Sequence, residues 1–390
     1  MEVYLDNGAT TKVDLEVLDE MKNLFVENYG NASSLHDAGK NTKKKLDESR
    51  KIISDLINCD VNELFFISGG TESDNLAIKG YALANKDKGN HIITSKVEHP
   101  AVLAICEELE KNGFRVSYIG VDKDGIIKLD QLKREINDKT ILVSIMHANN
   151  EIGTIQPIEK IGKICKDKKI AFHTDAVQSF TKVLIDVKKF NVDLLSLSAH
   201  KIHGPKGVGA LYVKKGIKIK PFFYGGGQEK KLRPGTENIP AIYGFCIAAK
   251  NNHLKNIDKI KELRNMLIDG LLTIPKCKIN GSLKNRLCNN VNVSFEFVEG
   301  ESILINLNFN KIFVSTGSAC SSKSLKPSHV LLALGITRKN SHGTIRFTLS
   351  KYNTKEEIEY TIQKVRETIC KLRKMSPLNE NTINEYNDLD

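Results

Sequence analysis

The chain has 390 residues, 40% hydrophobic and 27% charged, enough for one large α/β unit and a smaller one. Its net charge of +11 is carried by lysine, 48 Lys against 10 Arg, scattered along the chain, with no Trp and no interleaving of basic and aromatic residues. That pattern argues against nucleic acid as a partner. No run of ~18 apolar residues occurs, which argues against a membrane span, and the first residues, MEVYLDNGATTKVD, have no basic stretch followed by an apolar one. The expected location is cytoplasmic.

In chain order, VYLDNGATT near the start reads as a short strand ending in a turn. Leu15, Leu18, Met21, Leu24 and Phe25 then recur at helical spacing. NASSLHDAG is a loop before a long amphipathic helix reaching about Asn58. From Leu64, strands and helices alternate. LFFIS is followed by Gly69-Gly70-Thr71-Glu72, which opens the helix SDNLAIKGYALA. HIITS precedes a helix from near Pro100 to Asn112, and VSYIGV precedes one around Leu129–Ile136. ILVSIMHA ends in Asn149-Asn150-Glu151 ahead of a helix over Pro157–Lys168, and IAFHTDA, LLSLSA and GALYV are three more strands.

Near-continuous apolar strands alternating with helices predict a mostly parallel sheet covered on both faces. Phe222–Asn238 is a long Gly-rich loop, and long loops inside compact domains are commonly functional. A helix over Ala241–Lys259 is expected to lead into a second domain. The division expected is a large α/β domain over 13–259, a smaller α+β domain made of 1–12 and 260–375, and a polar, flexible tail over 376–390.

Several residues at strand ends carry chemistry. Lys201 follows the apolar run Leu194–Leu197, between His200 and a Gly-Pro-Lys-Gly turn. Open α/β sheets bind ligands outside the carboxyl ends of their strands, and a partly desolvated amine there can form an imine with an aldehyde. Ser198 and His200 add donors suited to a phosphate. The Gly69–Glu72 turn is either an ordinary capped turn or an anion cradle at a helix N-terminus. His99, before Pro100, is either an idle helix-start residue or a ring contact and acid/base. Asp175, one turn before Gln178, is either a helix cap or a partner for a pyridine nitrogen. Together, in this order, they supply an anion grip, a ring contact, a pyridinium partner and an imine lysine.

Eight cysteines show no C-x-x-C pair and no zinc spacing. Most sit in apolar patterns, where a thiol acts as a small hydrophobe. Cys320 differs, lying in the small, polar segment TGSACSSKSLKPS with Lys323 nearby.

The motifs YLDNGATT, SGGTESDN, EHPAV, NNEIG, HTDAVQS, SLSAHKIHGPKGVGALYV, GGGQE, RPGTEN, STGSACSSKSL and IRFTLS run from residue 4 to about 350. In these the chain resembles the cysteine desulfurases of the nitrogenase-type and iron–sulfur-cluster group, in the class V aminotransferase family. Three positions depart from that pattern, Gly8 and Gly70 where Ala is usual and Ala32 where Pro is usual.

The resemblance implies the aspartate aminotransferase-like fold type I of pyridoxal phosphate-dependent transferases. It implies that Lys201 holds pyridoxal 5'-phosphate through an imine. Asp175 would pair with the ring nitrogen, Gln178 with the ring hydroxyl, and His99 would stack on the ring and shuttle protons. Gly70, Thr71, Ser198 and His200 would bind the phosphate or its surroundings. Thr236 would reach the phosphate of a second subunit, which implies a homodimer. Asn150, counted with the cofactor and substrate residues, and Arg346 would hold L-cysteine, Arg346 by its carboxylate.

Cys320 would be the nucleophile, taking sulfur as a persulfide and leaving L-alanine. It would pass that sulfur to an iron–sulfur scaffold protein or another acceptor, with Cys320 a transient ligand of a shared [2Fe-2S] cluster. Rival readings are a selenocysteine lyase or aminotransferase of the same fold, and a sulfur-binding adaptor without catalysis.

Overall fold

A computed structural model describes residues 1–316 and 327–375, apart from the side chains of residues 339 and 340. In chain order its strands are β1 (Val3–Tyr4), β2 (Leu64–Ile67), β3 (His91–Ser95), β4 (Arg115–Ile119), β5 (Thr140–Ser144), β6 (Ala171–Asp175) and β7 (Leu194–Ser198). They continue with β8 (Gly209–Val213), β9 (Cys277–Ile279), β10 (Asn290–Phe295), β11 (Ile312–Phe313), β12 (Ser315–Thr316) and β13 (Thr344–Thr348).

Seven strands form one sheet in the order β2-β8-β7-β6-β5-β3-β4. Only β8 runs against its neighbours; the other pairings are parallel. The physical reason lies in the connection. Residues 199–208 are too few for the ~12-residue crossover that parallel neighbours need, so β8 returns antiparallel. Strands β3, β5, β6, β7 and β8 are buried along their whole length, as a sheet covered on both faces requires.

A second sheet, β12-β13-β10-β9, is antiparallel throughout. The first residues of the chain lie beside it: β1 pairs with β11 in a separate two-stranded parallel sheet, and Asp6 bridges to Thr348 at the end of β13. Val3 and Leu5 are buried in the same cluster as Leu267, Val291, Phe347 and Val365, while Val17 to Ala249 build the cluster on one face of the large sheet.

Two expectations about helices need correction, and a third is met by a helix with an exposed face. The helix after Gly69-Gly70 runs to Ala84, but its middle, Asn75–Gly80, is a π-helix. Ile219 and Lys220 press onto it at Gly80, where a Cβ would lie 2.7 Å from Ile219 Cγ2. The helix expected over Ala241–Lys259 is two helices, Ile239–Asn252 and Ile257–Leu272. The Leu254 N–H leaves the helix to donate to Thr181 O at 2.8 Å, and Leu254 and Asn256 take left-handed φ of 51° and 59°. The helix Leu15–Val26 buries Val17 and Leu24 but leaves Leu15, Leu18 and Phe25 exposed.

Candidate functional site

Lys201 lies in the short turn Ala199–Lys201 directly after β7. Its Nζ donates to the carbonyl oxygens of Gly8 and Ala9, each at 2.6 Å. Gln178 Nε2 donates to the same Gly8 oxygen at 3.0 Å. Thr11 donates to His200 O through both its N–H and its hydroxyl, and His200 Nδ1 lies 3.3 Å from Thr10 Oγ1. The segment Gly8–Thr11 thus crosses the carboxyl ends of β6 and β7 and brings Lys201, His200 and Gln178 together.

Asp175 ends β6 in a buried position, its Oδ1 accepting the Val177 N–H at 2.8 Å. Burial pushes its pKa up to about 6, against the Val177 hydrogen bond and the positive charge of Lys201. Ser198 ends β7, and its buried hydroxyl has no hydrogen-bond partner among the described residues. Such orphans are rare enough to need an explanation.

The Gly69-Gly70 turn lies beside it. A Cβ on Gly209 would stand 2.8 Å from Gly69 Cα, so only glycine lets β8 approach the turn so closely, and a Cβ on Gly69 would lie 4.0 Å from Ser198 Oγ. Thr71 is exposed at the start of the helix that Gly70 opens. An orphaned hydroxyl, a helix start and a strand-end carboxylate fit the phosphate and ring nitrogen of pyridoxal phosphate.

His99 caps the helix Pro100–Lys111, its Nδ1 accepting the Ala101 N–H at 3.1 Å. Burial pushes its pKa down to about 4, with the charges of Lys201 and His329 acting in the same direction. The neutral ring therefore carries its proton on Nε2, and that nitrogen is a donor.

Arg346, on β13, is 3% exposed. Its Nη1 donates to Asn150 O at 3.1 Å and its Nη2 to Asp6 Oδ1 at 2.9 Å, while the buried Nε has no partner among the described residues. Arg346, on the second sheet, and Asn150, in the turn that follows β5 of the first, are thus in contact. Thr236 is exposed on the Phe222–Asn238 loop. That loop is tied to the turn by Arg233 Nε, 3.2 Å from Glu72 Oε1. Cys320, Lys323 and the expected tail 376–390 lie outside the described residues.

The structure adds residues that sequence reasoning left without a role. Glu98 is buried next to His99, accepting the Met146 N–H on both oxygens at 3.1 Å and the Ser95 hydroxyl at 2.5 Å. Burial pushes its pKa up to about 8, and the charge of Asp175 adds to this against those hydrogen bonds. Asp74 is raised too, by burial and then by Asp175. His173, 3.7 Å from Asp74, is pushed down to about 3 by burial and is neutral. Lys182 donates to the Gln178 and Lys201 carbonyls. Glu98, Glu151 and Asp74 stood inside quoted motifs. A carboxylate directly beside a site residue was the available signal. A cavity of about 520 Å3 opens at the other end of the sheet, by Thr140 and Ile170, away from these side chains.

The aminotransferase class-V family matches residues 3–361. A cysteine desulfurase IscS of Methanosarcina thermophila is 52% identical over 390 residues, covering 99% of this chain and 96% of that protein. One from Clostridium botulinum is 51% identical over 383 residues, covering 97% and 96%. Among solved structures, a NifS-like protein is similar with a TM-score of 0.89 and 39% identity, over 95% of this chain and 100% of that one. A second, titled SspA in complex with cysteine, has a TM-score of 0.82 and 37% identity, over 90% and 100%. The chain belongs to the aminotransferase class-V family, among its cysteine desulfurases.

Proposed function

We propose that the chain is a pyridoxal phosphate-dependent cysteine desulfurase, converting L-cysteine and an enzyme thiol to L-alanine and an enzyme persulfide on Cys320. The observation that carries this reading is the meeting of Lys201, Asp175 and the unpartnered Ser198 hydroxyl at adjacent strand ends, over a Gly-rich helix start. When bound, pyridoxal phosphate supplies an aldehyde for an amine and an electron-accepting ring.

Lys201 would hold the cofactor. Ser198, Gly70, Thr71 and His200 would surround its phosphate, with Thr236 contributed to a second subunit. Asp175 would keep its negative charge beside the ring nitrogen, because a cationic partner offsets the burial that raises its pKa. Gln178 would exchange its bond to Gly8 O for the ring hydroxyl. His99 would contact the ring and donate from Nε2; it can take a second proton at Nδ1 only by giving up the Ala101 N–H.

Arg346 would bind the substrate carboxylate, its buried Nε lacking a partner and its fork already rigidly held. Asn150 would line the same space. In the sulfur step the C–S bond of L-cysteine breaks and an S–S bond forms to the Cys320 thiolate. The electron pair of the C–S bond stays with carbon, which takes up the proton the thiol lost. The persulfide sulfur would then pass to an iron–sulfur scaffold or another acceptor, with a [2Fe-2S] cluster as transient cargo at Cys320.

The two buried clusters are read as the cores of a large domain, 13–259, and a small one, 1–12 with 260–375. A homodimer is supported by the exposed Leu15, Leu18, Phe25 and Tyr29. A cytoplasmic location is supported by the seven described cysteines, all free thiols. Purified protein given L-cysteine should absorb visible light through its cofactor and release alanine. Formation of a keto acid instead would overturn the reading in favour of a transaminase.

A further inference from the structure

Both flanks of the segment that carries Cys320 are described, and they are fastened to different sheets. On the near side, Ser315 in β12 pairs with Arg346 in β13. On the far side, Ser328 caps the turn of helix His329–Ala333, its Oγ accepting the Leu331 N–H at 3.3 Å.

That hydroxyl also donates to Glu151 Oε2 at 2.5 Å. His329 Nε2 donates to the carbonyl oxygen of Glu98 at 2.9 Å. Val330 and Leu331 are buried against Val97, Val121 and Ile152. Residues 328–331 are therefore tied to the immediate neighbours of His99 and Asn150, at the edge of the seven-stranded sheet.

Glu151 is built for this contact. It is 5% exposed, and burial pushes its pKa up to about 7, against the Ser328 hydrogen bond and the charge of Arg346. Its own backbone is fixed: its N–H donates to Asn149 Oδ1 at 2.9 Å, and its carbonyl accepts Asn290 and Asn292 Nδ2 at 3.1 and 3.2 Å. A buried carboxyl is costly unless it is bonded, and Ser328 is the side chain that its Oε2 accepts from.

We propose that Glu151 and Ser328, with His329 on Glu98 O, are positioning residues that fix where the chain bearing Cys320 returns to the site. The proposal rests on the desulfurase reading. A group on a chain fixed at two points samples a smaller volume than one fixed at a single point, and its effective concentration at a target is higher. Removing the Ser328–Glu151 bond loosens the far anchor at its first residue, with His329, Val330 and Leu331 still held, and should therefore slow attack by the Cys320 thiol while leaving the cofactor and substrate contacts of Lys201, Asp175 and Arg346 in place.

The test compares holoenzyme carrying Ser328→Ala, Ser328→Thr or Glu151→Gln with wild type. Cofactor absorbance is titrated with L-cysteine, and persulfide on Cys320 is followed in a single turnover. Ser328→Ala should keep the absorbance and titrate within about twofold of wild type, yet form persulfide about tenfold more slowly or worse. Ser328→Thr keeps the hydroxyl and should recover most of that loss; Glu151→Gln should fall between. Persulfide formation at the wild-type rate in both Ser328→Ala and Glu151→Gln would overturn the proposal alone. So would equal losses in titration and persulfide formation, or no recovery in Ser328→Thr. Wild-type protein that makes no alanine would overturn the desulfurase reading itself.

Discussion

The ammonium group of Lys182 donates to the carbonyl oxygen of Lys201 at 3.2 Å, and to that of Gln178 at the same distance. Lys182 is half-buried, and loss of solvent around its ammonium group pushes its pKa down to about 8. One half-buried cation thus holds the backbone of two residues assigned to the cofactor. Lys182→Met should remove both of these hydrogen bonds and cost about 1–3 kcal/mol for each. Denaturant unfolding of the cofactor-free protein checks this; an unchanged midpoint would show that the two bonds contribute nothing.

Ser198→Ala should act with opposite sign in the two forms of the protein. Without cofactor, removing a buried hydroxyl that has no partner should be neutral or stabilising. With cofactor, the same change should weaken pyridoxal phosphate binding by about tenfold, the worth of roughly one hydrogen bond to a charged group. Thermal shifts of the cofactor-free protein and a cofactor titration read the two arms separately. Equal cofactor affinity in wild type and variant would remove Ser198 from the phosphate site.

Gly8 tests how tightly the first segment is packed. A Cβ there would meet Thr348 Cγ2 at 3.0 Å, Thr348 Oγ1 at 3.1 Å and Arg346 Cζ at 3.4 Å. Gly8→Ala should therefore cost about 1–3 kcal/mol through overpacking and raise KM for L-cysteine as Arg346 shifts. Adding Thr348→Ser removes Cγ2 and keeps the hydroxyl that accepts the Gly8 N–H. The double variant should recover part of both losses, and strict additivity would contradict the packing argument.

Much of this site was legible because strand ends are legible. Apolar runs that stop at Asp175, Ser198 and Lys201 announce the carboxyl edge of a parallel sheet, and the structure puts these residues there. The break after Asn252 was not legible, since it depends on a hydrogen bond to Thr181, far away in the chain. Helical spacing revealed a helix at Leu15–Val26 but not that Leu15 and Phe25 would face outward from a single chain. Glu98, Glu151 and Ser328 read as ordinary polar residues, because only the fold shows that they are buried and joined to one another's surroundings.

Asp14 joins the two sheets' surroundings and should govern acid stability. It accepts Lys351 Nζ at 2.6 Å, Tyr352 OH at 2.5 Å and Asn252 Nδ2 at 3.2 Å. Burial alone would raise its pKa, but these hydrogen bonds and the nearby His203 together hold it below the usual carboxylate value of 3.8. A depressed pKa means that the stabilisation is complete above the unfolded value and is lost as pH falls through the folded one. Asp14→Asn should be less stable than wild type at pH 7, by about 2 kcal/mol, and the gap should close as pH drops below about 4. A gap that does not change with pH would contradict this.

The most direct measurement exposes holoenzyme and its Cys320→Ser variant to L-cysteine, then determines alanine released and the mass of the peptide containing residue 320. Wild type should gain one sulfur atom on Cys320 for each alanine in the first turnover. Cys320→Ser should keep the cofactor absorbance and yield neither product. Alanine release by Cys320→Ser at the wild-type rate would contradict the account.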